Sequence, residues 1–500
     1  MPSAVSAEIS TTQLQKLQFS PNNSFNRTTL TKTLAISGLV LYLFSIFLFN
    51  DHPNCQASHF FLPLGFTRPT PPKPNPTDHH SPTDLSHIVF GLLGSEKGWR
   101  YRKSYVETWW RPNVTRGYLY LDRAPAKDLF PWSSSSPPFR VFEDNAKLLD
   151  LEESKHVAPI LVRLVHAILE AFRQEQEGVR WYVMGDDDTI FFVDNMVGVL
   201  SGYDHTKYFY IGGHSETLRS NFFHSFDMGF GGAGFALSYP LAAALARDLE
   251  NCLERYWYLR VSDQFLMSCV ADFGVSLTAH KGLHQIDLLH DISGLLSAHP
   301  QAPLLSLHHF DKVDPIFPAM NRIESTNHLM KAANVDQSRL LQQTICYQKQ
   351  TNRSFSISWG YSAHVYENVF PRSILKKPLE TFRPWSKDRP PRPPHYRFDT
   401  RWPSDDPCEA PHVFFFESVG KSGRGDEIVT NYVRSWPRGL PACSVFGNHS
   451  ADYISKIQVL SPVMKLPEDG RSECCDVSPL GGTNIIGVKL RACMEDEIIA

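Results

Sequence analysis

Three consecutive carboxylates, Asp186-Asp187-Asp188, follow the apolar run Trp181–Met184 and Gly185, and Thr189 comes next. Adjacent carboxylates repel one another, so a buried strand that ends in three of them needs a compensating cation. Asp-x-Asp at a strand terminus suits Mg²⁺ or Mn²⁺, hard ions that accept one or two carboxylates and leave positions for a substrate's phosphates. In open α/β sheets ligands bind at the carboxyl ends of strands, so the position fits that chemistry. A solvated acidic turn could carry the same triplet, but the apolar residues before it and Phe191-Phe192-Val193 after it argue against that.

Asp186-x-Asp188 also matches the opening of the D-x-D-x-[TV] nucleophile motif of aspartyl-phosphate phosphohydrolases. Ile190 at the fifth position and the mid-domain location weigh against it. The segment Gly229-Phe230-Gly231-Gly232-Ala233-Gly234-Phe235 is dense enough in glycine for its backbone to approach a ligand or another chain closely, or to make a tight turn. Histidines cluster at 280, 284, 290, 299, 308 and 309 without zinc-type spacing. Of these, His308 or His309, after the apolar run Pro303–Leu307, could complete a metal shell with Asp188. Val261-Ser262-Asp263-Gln264 opens a helix, where an aspartate either caps the helix or takes a proton from an acceptor hydroxyl.

The elements around these residues alternate. Strand-like runs at 86–94, 117–121, 181–184 and 208–211 are interleaved with helical patterns at 97–110, 157–172, 196–200 and after Pro240. That alternation predicts an α/β domain with a mainly parallel sheet over 84–334. Beyond it the texture turns strand-like, holds six of the nine cysteines and is crossed by a basic, proline-rich connector; 335–500 reads as a smaller β-rich, disulfide-tied domain. The chain has 500 residues, 42% apolar and 20% charged, with a formal net charge of −3. Wholesale disorder is excluded, and the balance supplies no polycationic reason to expect nucleic acid.

Residues 34–50 include a sixteen-residue uncharged run, Leu34–Phe49. As a helix it spans about 24 Å, short for a bilayer and suited to the thinner membranes of the early secretory pathway. Lys16, Arg27 and Lys32 precede it and Asp51 follows, so the positive-inside rule puts a tail, 1–33, in the cytosol and the body in the lumen. A proline-rich stem, 51–83, separates anchor from body. Asn113, Asn352 and Asn448 begin glycosylation sequons on the lumenal side.

Taken together, HIVFGLLGS…WRYRKSYVETWW, VRWYVMGDDDTIFFVDN, YFYIGGHSE, GFGGAGFALSYPLA, SDQFLMSCVADFGVSLT and HPQAPLLSLHHFDKVDPIFP resemble glycosyltransferase family 31. This is the Fringe-like and β-1,3-galactosyltransferase group with the GT-A fold, and the strings are most similar to its plant branch, labelled a domain of unknown function. The resemblance covers about 84–330. It implies a GT-A-type nucleotide-sugar-binding domain, a UDP-sugar donor, Mn²⁺ (or Mg²⁺), a glycan or glycoprotein acceptor and a single-pass type II protein of the Golgi membrane. The implied reaction is inverting transfer of a hexose or N-acetylhexosamine, galactose or N-acetylglucosamine favoured, in β-1,3 linkage. Residue by residue, it implies Asp188 and His309 (alternatively His308) as metal ligands. Asp186, Asp187, Gly231, Gly232, Ala233 and Gly234 would bind the donor, and Asp263 would be the general base.

Gln264 stands where relatives carry a second acidic residue, and an amide takes up no proton at neutral pH. That departure supports the alternative, a catalytically weak or inactive sugar-binding or scaffold protein on the same fold. Pairing Cys252 with Cys269, and the six later cysteines as three pairs of open connectivity, leaves Cys55 free or bridging two stems into a homodimer.

Overall fold

The computed structural model describes residues 81–498 except 143–149, 151, 153–154, 176, 386–391, 424, 445–449, 464–470 and 482–483. The proposed tail, the anchor at 34–50, nearly all of the stem and Cys55 lie outside the described residues, as does Asn448. Among the described residues no helix is long and apolar enough to cross a membrane.

Along the chain come β1 (Ile88–Gly94), β2 (Arg116–Leu121), β3 (Phe139–Val141), β4 (Trp181–Asp186), β5 (Ile190–Phe191) and β6 (Tyr210–Gly212). They are followed by β7 (Phe235–Ser238), β8 (Leu277–Ala279), β9 (Leu283–His284), β10 (Leu288–His290) and β11 (Ser306–Leu307). Seven of these form one sheet in the order β3-β2-β1-β4-β7-β6-β8. Neighbours are parallel except at β7, which runs antiparallel to both β4 and β6. The sheet is therefore mainly parallel, as the alternation of elements predicts. Its central strands are buried on both faces, which is why Ile88–Phe90 and Trp181–Met184 read as unbroken apolar runs.

Successive residues of these strands serve different cores. Phe90, Leu92, Trp181 and Val183 face one buried cluster, whereas Val89, Tyr182 and Met184 face another. The helices Pro159–Gln174, Tyr239–Arg255 and Ser262–Ala271 cover the second face, and Cys252–Cys269 ties the last two together. Two of these helices place proline in the first turn, where its missing N–H costs nothing.

On the first face the core runs on into the C-terminal part through Phe355, Ile357, Trp359 and Phe414. There β12 (Gln343–Gln348), β13 (Arg353–Ser358) and β14 (Ser362–Tyr366) lead through β15 (Phe382–Pro384) to β16 (His412–Lys421). Then come β17 (Glu427–Arg434), β18 (Lys456–Pro462), β19 (Cys474–Pro479) and β20 (Ile485–Arg491). Eight of them make a sheet ordered β12-β13-β14-β16-β17-β18-β20-β19, antiparallel throughout except between β18 and β20. Its two edge strands, β12 and β19, are joined by Cys346–Cys475, so the sheet curls into a barrel-like form. Cys408–Cys443 and Cys474–Cys493 complete the three pairs among the six late cysteines. The proline-rich connector is not a free linker at its start, because β15 pairs with β10.

Candidate functional site

β4 ends at Asp186, and the turn that follows is built by Thr189. Its hydroxyl accepts the Asp186 N–H at 2.9 Å and donates to the Gly232 carbonyl at 2.8 Å. Trp109 Nε1 donates to the Thr189 carbonyl at 2.9 Å from the opposite side. This turn splits the triplet. Asp187 points toward the start of the helix Glu96–Glu107, where it accepts the Ser95 N–H at 3.2 Å and pairs with Arg102 Nη1 at 2.8 Å. Asp186 and Asp188 turn the other way, toward His308 at the end of β11.

Asp186, Asp188 and His308 form a group whose ligand atoms all lie within 4.8 Å of one another. His308 Nε2 is 3.1 Å from Asp188 Oδ1 and 3.7 Å from Asp186 Oδ2. Asp188 is fully buried, and neither of its oxygens has a hydrogen bond, although Arg102 Nη2 also stands 3.1 Å away. A buried carboxylate left in that state fits a cation held by Asp186, Asp188 and His308, and an imidazole beside two carboxylates suits Mn²⁺ better than Mg²⁺. The other grouping of metal-ligand residue types among the described residues, Cys474, Cys493 and Glu497, has both sulfurs consumed in a disulfide.

The electrostatics follow from crowding. Desolvation pushes the Asp186 carboxyl up to about 7, helped by the charges of Asp188, Asp263 and Asp187 and opposed by His308. Desolvation also works against charge on Asp188, but His308 and Arg102 outweigh it and hold that carboxyl down at about 2. Asp188, with help from Asp186 and Asp287, raises His308 to about 9 against its own burial. Protonated His308 therefore stands where a metal's charge would act, and a metal ion must displace that proton.

The glycine segment packs onto this cluster. A Cβ on Gly232 would lie 2.1 Å from His308 Cε1, and one on Gly231 would lie 2.6 Å from Asp263 Oδ1. Gly234 has φ +84° and donates its N–H to the Gly231 carbonyl at 2.9 Å, closing a turn that side chains rarely allow. Ala233 N–H donates to Gln285 Oε1 at 2.8 Å. Asp263 accepts the Gly231 N–H at 2.9 Å and a Ser262 hydroxyl contact at 3.2 Å. Burial pushes its carboxyl up, while those donors pull the other way. Gln264 Nε2 donates to the His224 carbonyl at 3.0 Å, a bond no carboxylate could make.

Most of the expected residues therefore converge: Asp186, expected at the donor, joins Asp188 and His308, while His309 and Asp187 lie outside the trio. His309, the first expectation for the third ligand, is not in the trio; its ring stacks on Trp385 and its Nδ1 is 3.5 Å from Asp287 Oδ1. It has φ +56°, and this left-handed turn sends neighbouring side chains to different partners. Asp187 is occupied by Arg102 and the Ser95 N–H, away from the trio. Arg102 itself was missed. It shares one helix with Lys97, Arg100 and Lys103, and nothing in that spacing shows which cation reaches the carboxylates. Asn113 and Asn352 are exposed turn residues with φ 60° and 53°.

No curated protein matches the chain. Among solved structures, apo mouse xyloside xylosyltransferase 1 is similar at 10% identity, with a TM-score of 0.25. The similarity covers 39% of this chain and 85% of that one. The model of the family described as "Protein of unknown function, DUF604" matches residues 220–475, just over half of the sequence and including the glycine segment, Asp263 and His308. The chain belongs to the DUF604 family.

Proposed function

We propose that this protein is a metal-dependent inverting glycosyltransferase of the Fringe-like type of glycosyltransferase family 31. It would transfer a hexose or N-acetylhexosamine from a UDP-sugar to a glycan or glycoprotein acceptor. The observation that carries this is the Asp186–Asp188–His308 trio at the end of a central strand, with both Asp188 oxygens buried and without a hydrogen bond. These three residues would hold Mn²⁺ or Mg²⁺, which when bound neutralises the diphosphate leaving group. Gly231 to Gly234 bring backbone rather than side chains to the cleft beside it. Asp263 is the candidate to accept the acceptor hydroxyl's proton, since it lies against the glycine segment beside the trio and burial raises its carboxyl, which favours taking a proton up.

The proposal includes a cytosolic tail at 1–33, an anchor at 34–50, a stem at 51–83 and a lumenal body in the Golgi. Galactose or N-acetylglucosamine in β-1,3 linkage is the favoured product. Incubating the protein with a panel of UDP-sugars and Mn²⁺ tests it: release of UDP that depends on both metal and Asp188 is expected. Full turnover in the Asp188→Asn variant would sink the metal assignment. A second reading, a catalytically silent sugar-binding protein, rests on Gln264; UDP-sugar binding with no turnover under any donor would favour it.

A further inference from the structure

One strand away from the trio lies a cavity of about 720 Å³, within the range of small-molecule sites. His284 and His308 belong to the paired strands β9 and β11, and His308 N–H donates to the His284 carbonyl at 3.1 Å. His308 faces the carboxylates, whereas His284 faces the cavity. The opposite wall is the chain around the proline-rich connector, stitched on by Arg397 N–H to the Glu216 carbonyl and Leu218 N–H to the His395 carbonyl.

The charges lining the cavity are unbalanced. Its two acids are already engaged. Glu216 accepts from the Ile286 N–H at 2.6 Å and pairs with His284 Nδ1 at 2.8 Å, and Asp399 pairs with Lys377 at 3.3 Å. Lys281, Lys376 and Arg397 also line the cavity; no carboxylate makes a close ion pair with any of them among the described residues, although Arg397 feels the charge of Glu216. At the floor His284 Nε2 meets His299 Nε2 at 2.9 Å, so one ring donates to the other. His280 accepts the Gly282 N–H on Nδ1, which leaves its Nε2–H to donate. Leu283, Leu295 and Phe398 add apolar surface beside these donors.

We propose that this cavity binds a carboxylate-bearing sugar unit, so that the acceptors are acidic, hexuronate-containing glycans. This rests on the transferase reading of the adjoining site. Lys281, Lys376 and Arg397, an excess of positive charge beside apolar and imidazole surface, match a pyranose with one charged edge, and a guanidinium pairs with a carboxylate through two parallel hydrogen bonds.

Calorimetry on the full chain would compare a hexuronate-terminated oligosaccharide with its neutral hexose counterpart and with a sulfated one. The expected result is about tenfold tighter binding of the hexuronate over the neutral sugar. The Lys376→Gln/Arg397→Gln double variant should lose that preference with its melting temperature unchanged, since both side chains are exposed. Equal binding of acidic and neutral sugars, a preference for the sulfated one, or a preference surviving the double variant would overturn it. Displacement of the hexuronate by metal-free UDP would also overturn it, by making the cavity part of the donor site. Mn²⁺-dependent UDP binding is measured separately; its absence beside an intact hexuronate preference would remove the transferase reading while leaving the cavity assignment standing.

Discussion

Replacing Gly232 with alanine adds one methyl group at the point where the backbone touches His308. An ideal Cβ there would sit 2.1 Å from His308 Cε1, 2.4 Å from Nδ1 and 2.6 Å from Nε2, whereas ordinary contact begins at 3.4 Å. The ring must retreat by about 1 Å or more. It has little room, being buried, tilted 30° against the His309 ring with centroids 3.8 Å apart, and fixed at its backbone to His284. Backbone strain does not enter, because Gly232 is not in the left-handed region. Overpacking of this kind costs about 1–3 kcal/mol, and the stiffer unfolded chain returns about 0.4–1. Gly232→Ala should therefore lose about 1–2 kcal/mol in denaturant unfolding without metal.

The larger effect falls on metal binding. A ligand displaced by that distance should weaken Mn²⁺ about 10–100-fold in calorimetry. Gly198→Ala is the matched control: that glycine is exposed in the helix Val193–Leu200, and a Cβ on it meets nothing within 4 Å. It should gain about 0.5–1 kcal/mol and leave Mn²⁺ affinity alone. If Gly232→Ala behaves like Gly198→Ala in both measurements, the placement of His308 is wrong.

Other outcomes follow from the same geometry. His308→Ala should abolish Mn²⁺-dependent UDP binding while His309→Ala keeps most of it; the reverse ranking would restore His309 as the ligand. Gln264→Glu replaces the donor to the His224 carbonyl with an acceptor, which should cost about 1–3 kcal/mol by thermal unfolding; an unchanged melting temperature would show the bond to be dispensable. Arg102→Met leaves Asp187 without its cation and Asp188 with His308 alone, so stability should fall by about 3–5 kcal/mol and recover in part with Mn²⁺. A variant equally stable with and without the ion would contradict that.

Glu367 gives the pH dependence. Desolvation would raise its carboxyl, but the Cys443 and Ala451 N–H groups, His412 and Arg438 outweigh it and hold it at about 2. Its folded value is depressed, so its contribution, about 3 kcal/mol, is fully present above the unfolded value near 4.5 and is lost as pH falls toward 2. Glu367→Gln should be less stable at pH 7, and its deficit should close across that window. A deficit independent of pH would point to packing rather than charge.

The sequence by itself was enough for the mainly parallel sheet, because a strand buried on both faces must be apolar at consecutive positions, as Trp181–Met184 is. It was also enough for the Asp-x-Asp terminus, since three carboxylates after such a strand demand compensation, and for the helix start near Pro240. Cysteine counting pointed to Cys252–Cys269 and to three pairs among the late six, but not to which pairs. Tertiary structure decided the rest. Arg102, Gln285 and His308 reach the site from segments far apart in the chain, and only the folded register of β4, β9 and β11 sets which side chain faces which. The choice between His308 and His309 is a one-residue matter, decided by a left-handed φ at His309. That Cys346–Cys475 joins the two edges of the C-terminal sheet depends on strand order, which no local pattern encodes. Side-chain chemistry and periodicity are local and legible; the convergence of charges in one cleft depends on long-range packing, and only the fold supplies it.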